Sequence, residues 1–164
     1  AVAPVTKIRH FFGALIPRWA AHLLLIVLLF GFTRLLRIDY GTDYLRIILL
    51  LLFGTSSAVF TGTALGALLP AGQGVKTALS ISVPLIFALA SGMMASPLHS
   101  IIMKHVAWLH NWNPLGMITN GLYALYAGDD LTRYNQQLLG LGIFILLCLA
   151  LTLIGIRRTR YESI

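Results

Sequence analysis

Four long apolar stretches fill most of this chain and decide what it can fold into. They run Trp19–Ile38, Ile47–Leu69, Thr77–Ser96 and Leu138–Ile156. Each is close to the ~20 residues that an α-helix needs to cross a ~30 Å hydrocarbon layer. The second, third and fourth contain no Asp, Glu, Lys or Arg. A water-soluble helical domain needs charge on the outer face of every helix. With 10% charged against 58% hydrophobic residues, too few charges are present to supply it. The expected class is an all-α membrane protein with four transmembrane helices.

A chain of 164 residues suffices for one membrane domain and leaves no room for a soluble catalytic domain. We therefore treat 1–164 as a single transmembrane domain. The one cysteine, Cys148, lies inside the last apolar run and has no internal partner for a disulfide. The first residues are amphipathic and lack the basic, apolar and small-residue order of a signal peptide. The start at Ala1 leads us to expect that the N-terminal part of a longer protein precedes it.

The net charge of +7 does not indicate nucleic-acid binding. The basic residues sit at the ends of apolar runs and form no stripe on a soluble face. Such placement follows membrane topology. With both termini in the cytoplasm, Lys7, Arg9, Arg18, Lys76, Arg157, Arg158 and Arg160 are inside. Arg34, Arg37, Arg46, Lys104 and Arg133 are outside, the last two in a long segment. The excess favours this orientation, in the plasma membrane of a bacterial cell. Arg34 and Arg37 lie one turn apart at the end of the first span, where they can snorkel to the interface.

Residues Pro4–Pro17, within a cytoplasmic segment 1–18, read as a short amphipathic helix. Val5, Ile8, Phe12 and Leu15 recur at helical spacing, and Lys7 and Arg9 lie off that stripe. Pro17 is expected to break it before the first span. Such a helix either lies in the interface or docks a soluble partner. In the second span, Gly62 and Gly66 form a Gly-x-x-x-Gly pair among hydroxyl residues, a face for close helix packing. Pro84 is expected to kink the third span, as a hinge or as a packing accommodation.

The segment 97–137 holds two apolar stretches too short to span, Pro97–Leu109 and Leu115–Tyr126. Trp108, Trp112, Tyr123, Tyr126 and Tyr134 crowd it, and Asn113-Pro114 marks the break between the pieces. Aromatic residues favour the membrane boundary. The reading is a re-entrant or interfacial helical hairpin on the outer side, whose irregular backbone must be buried in protein or line a wet cavity. Asp129-Asp130 reads as a loop and helix start.

No P-loop, no Gly-x-Ser-x-Gly and no His-Glu-x-x-His occurs. His99, His105 and His110 lie near Asp129 and Asp130, but their spacings of six and five residues fit no recurring metal pattern. His22 reads as hydrogen-bonded to a neighbouring helix rather than as a proton carrier.

The order of elements resembles the permease subunits of type-2 ABC exporters. Three segments carry the resemblance. Ala3–Gly13, Ala-Pro-Val-Thr-Lys-Ile-Arg-His-Phe-Phe-Gly, is similar to the family's stretch before its third span. Asn113–Tyr126 is similar to the outer segment before the last span, and the tail Arg157–Ile164 to a common family ending. The resemblance covers the C-terminal part of a six-span permease and implies two spans before Ala1. It implies that Pro4–Gly13 is a coupling helix docking in a separate ATP-binding subunit, through Ile8, Phe11 and Phe12 with Lys7 and Arg9. It also implies that ATP and Mg bind that subunit, that this chain holds no cofactor and no catalytic residue, and that two permeases pair. The outer hairpin would cap the export path. Two other readings stand beside it. One is a stand-alone four-span protein, a small membrane enzyme or a metal handler using His105 and His110. The other is a structural protein that binds a membrane partner through the Gly62/Gly66 face.

Overall fold

The computed structural model describes residues 7–38, 43–93, 101, 104–105, 108, 111–126 and 130–158, with backbone alone at 7, 8, 10, 157 and 158. Among them five helices carry the architecture: α1 (Lys7–Leu35), α2 (Tyr44–Leu68), α3 (Gln73–Ala90), α4 (Pro114–Tyr126) and α5 (Leu131–Arg158). Four are long and apolar enough to cross a membrane, over Phe11–Leu35, Tyr44–Leu68, Gln73–Ala90 and Leu131–Ile156. The chain is an all-α membrane protein.

The centre is a parallel pair, α2 and α5. Tyr134 meets Arg46, Cys148 meets Thr61 and Gly155 meets Ala67, an offset of 87–88 residues held at three levels. A constant difference, rather than a constant sum, is the mark of parallel helices. Tyr134 is 2% exposed, and its hydroxyl donates to the Arg46 carbonyl at 2.8 Å. A buried phenol requires such a partner. α4 packs against both, with Ile47, Leu50, Met117, Leu125 and Leu141 forming the buried core between them.

α1 and α3 flank this core, and most of α1 is exposed along its length. Leu24, Leu25, Val27, Leu28 and Phe32 are each more than half exposed. In water such a surface would be untenable, and in lipid it is the ordinary outer face. The contacts α1 does make are specific. Trp19 Nε1 donates to Ser56 Oγ at 2.9 Å, and Arg34 stacks over the Tyr44 ring at 4.8 Å while bonding its hydroxyl.

The expected break at Pro17 is absent: α1 runs through it as one helix. Proline deletes the bond to the carbonyl four residues back and crowds it. That carbonyl belongs to Gly13, which has no side chain and open space around it. Buried Leu15 and the Trp19–Ser56 bond then anchor the helix on both sides of the proline. α3 likewise continues through Pro84.

Helix ends follow their local chemistry. Asp43 caps α2 by accepting from the Arg46 N–H at 3.2 Å, and Asp130 caps α5 through Arg133 N–H at 3.0 Å. α5 therefore starts at Leu131 rather than 138. α3 stops at Ala90 rather than 96 because Gly92, at φ 80°, closes a Schellman turn. Met93 N–H reaches Ala88 O and Gly92 N–H reaches Leu89 O. α1 ends in the same turn, with Arg37 in the left-handed region at φ 59°.

Candidate functional site

Two places carry polar groups where a membrane bundle would otherwise be dry. One is the start of α4. Its 13 residues make a helix about 20 Å long, short of a ~30 Å core. Ile118 lies against Gly54 and Gly121 against Leu50, so α4 runs antiparallel to α2 from near its midpoint towards the Tyr44 end. Asn113 and Pro114 thus start a helix about halfway along α2. Free helix-start N–H groups at that depth have no water to bond. Asn113 is 2% exposed and solves this locally: its Oδ1 accepts from the Leu115 N–H at 3.0 Å. Its Nδ2 donates to the Phe87 carbonyl on the last turn of α3. Pro114 follows at the first helical position, where no N–H is needed.

The half-length helix after Asn113-Pro114 is as the sequence led us to expect. The first stretch of the expected hairpin lies mostly outside the described residues. Trp108, Trp112, Tyr123 and Tyr126 are each more than 60% exposed. Arg133, in the first turn of α5, reaches Asn120 in the middle of α4 at 3.5 Å.

The second place is a cleft of about 740 Å³ at the other end, between α1, α2 and α3. Arg18 and His22, four residues apart on α1, line one side, and Lys76, Thr77 and Ser80 on α3 line the other. Its floor is Gly62 and Gly66 of α2. A side chain built on either glycine would meet nothing within 4 Å. The pair therefore opens a groove instead of joining described helices. Close approach occurs at other glycines. Gly155 packs on the Ala67 backbone, Gly140 on Met117, Gly121 on Leu50 and Gly54 on Ile118. Sequence reasoning chose Gly62/Gly66 by spacing, but a Gly-x-x-x-Gly pair does not say which face of the helix has a neighbour. Lys76 Nζ donates to the Gly66 carbonyl at 3.0 Å across the cleft floor. His22 faces the cleft and has no hydrogen-bond partner among the described residues, in contrast to the expectation.

The expected docking residues fall on the first turns of α1. Lys7 and Ile8 are placed there by backbone alone, and Arg9 is exposed. Phe11 turns into the cleft. Phe12 lies in an apolar groove with Leu15, Trp19 and Phe60, its ring edge-on to Phe11 at 5.5 Å. The two phenylalanines therefore point to different surfaces. Among the described residues no three His, Cys, Asp or Glu side chains converge on a common point. His99, His110 and Asp129 lie outside the described residues. The hydroxyls of α2 bond mostly within the helix: Thr55 to Leu51 O, Ser57 to Gly54 O and Thr61 to Ser57 O.

No curated protein and no solved structure matches this chain. Residues 1–154 match the model of one family, described as ABC-2 family transporter protein. Four spanning helices with a half-depth helix before the last agree with a membrane component of that kind. The chain belongs to the ABC-2 transporter family, as a membrane permease.

Proposed function

We propose that this permease works in an ATP-driven exporter, as the partner of a separate subunit that binds ATP and Mg and hydrolyses the nucleotide. The observation that carries this reading is the continuity of α1. Its basic, aromatic first turns and its spanning segment are one helix of 29 residues. A push on Lys7–Gly13 reaches the bilayer part of the same rod without a loop to absorb it. Both termini lie in the cytoplasm in this reading, which puts the first turns of α1 within reach of that subunit. A second permease pairs with this one across the exposed apolar faces, and α4 caps the path at the outer end. The chain itself contributes no catalytic group to hydrolysis.

The test uses the full-length permease expressed in membranes with candidate ATP-binding subunits. Charge reversal at Lys7 and Arg9 is expected to abolish co-purification of that subunit while membrane insertion is retained. Phe11→Ala with Phe12→Ala is expected to lower permease-dependent ATPase activity at least several-fold. Unchanged association and ATPase activity in both variants would remove the first turns of α1 from the docking site.

A further inference from the structure

The cleft between α1, α2 and α3 combines two properties that the permease reading does not require. Its rim is basic: Arg18 and Lys76, from two different helices, face one space together with the His22 imidazole. Among the described residues no Asp or Glu lines it. Lys76 spends one donor on the Gly66 carbonyl, which fixes its ammonium over the floor with two donors left. Its floor, by contrast, is bare. Gly62 and Gly66 leave a slot along α2, continued by Ala58 and Val59 and faced by Ile81. Snorkelling accounts for a single Lys or Arg at a helix end. It does not account for basic groups converging from two helices above a slot without side chains.

We propose that this cleft binds an anionic membrane phospholipid, with the phosphate between Arg18, His22 and Lys76 and one acyl chain along the Gly62–Gly66 slot. Basic pockets between spanning helices hold lipid head groups by this chemistry. Arginine supplies a planar fork matched to phosphate oxygens, and the lysine supplies a point charge. The apolar slot selects an amphiphile over a free anion. The cleft borders the proposed docking turns at Phe11, so it is tested without an ATP-binding subunit and with variants that leave Phe11 in place.

The full-length permease is placed in nanodiscs of phosphatidylcholine with a minor fraction of phosphatidylglycerol. Lipid retained after mild detergent transfer is then counted by native mass spectrometry. We expect selective retention of phosphatidylglycerol, lowered roughly tenfold or more in Arg18→Gln with Lys76→Gln. Gly62→Leu fills the slot where nothing stands within 4 Å, so it folds and loses the lipid. Arg133→Gln, at the opposite end, keeps it. Retention unchanged in the Arg18/Lys76 variant overturns the proposal, as does equal loss in Arg133→Gln. Displacement by millimolar inorganic phosphate makes the site one for a free anion and also overturns it. So does retention that survives Gly62→Leu, because the chain then does not use the slot.

Discussion

Asn113 is the residue on which the half-depth helix rests. It caps α4 and ties it to the Phe87 carbonyl, 26 positions earlier, with both bonds made out of water. Asn113→Ala removes both at once and leaves the Leu115 N–H without its cap. The expected cost is about 1–3 kcal/mol, read as a lower unfolding midpoint in detergent. Asn113→Asp keeps an acceptor for the cap but cannot donate to Phe87. It should be no better than alanine, and a midpoint equal to that of the parent would show that the tie to α3 contributes nothing. Arg37 gives the opposite sign. It holds φ 59° at the end of α1, a conformation costing a side-chain-bearing residue about 1–2 kcal/mol. Arg37→Gly is expected to raise the midpoint by up to that amount, whereas Arg37→Ala keeps the strain and should not. The Asn113-Pro114 pair was legible because a cap and a first-turn proline are local signals. Its bond to Phe87 was not, since nothing in a sequence pairs two positions so far apart.

At the level of helices, glycine decides which surfaces meet. A Cβ on Gly155 would sit 2.6 Å from the Ala67 carbonyl oxygen, a backbone atom that cannot swing aside. Gly155→Val should therefore force α5 off α2, at about 1–3 kcal/mol. Gly62→Ala meets open space and relieves a helix of a flexible residue, so it should stabilise by about 0.5–1 kcal/mol. Unfolding midpoints of the two variants moving in the same direction would contradict the assignment of packed and open glycines. The same contrast explains what the sequence showed. Long apolar runs without charge mark spans whatever packs against them, so four helices were legible. Their partners were not, because hydropathy is nearly uniform around α1 and α2, and an apolar face does not name the helix that covers it. The ends moved for local reasons: Gly92 stopped α3 early, and Asp130 started α5 before its apolar run begins. Pro17 misled because its effect depended on Gly13, the one residue whose carbonyl it crowds.

For the molecule as a whole, the packing divides the chain into a core and two outriders. α2, α4 and α5 share the buried residues, and α2 and α5 stay in register at three levels along their length. α1 meets the core through Phe30 and the Trp19–Ser56 bond, with most of its surface left exposed, and α3 meets it at Lys76 and Phe87, near its two ends. In the proposed cycle, a push on the first turns of α1 would move α1 and α3 over a fixed pair. Packed interfaces hold one arrangement or another and do not deform continuously. Thr61 Oγ1 stands 3.9 Å from Cys148 Sγ, midway down that pair. Thr61→Cys places a second thiol there, and mild oxidation should join α2 to α5 after small rotations of the two side chains. If the pair is one body, the joined permease supports as much permease-dependent ATPase activity as its reduced form. It should also unfold at a higher temperature. A loss of that activity on oxidation, restored by a reductant, would instead place the moving boundary between α2 and α5, and α4, which packs on both, would have to part from one of them in each cycle.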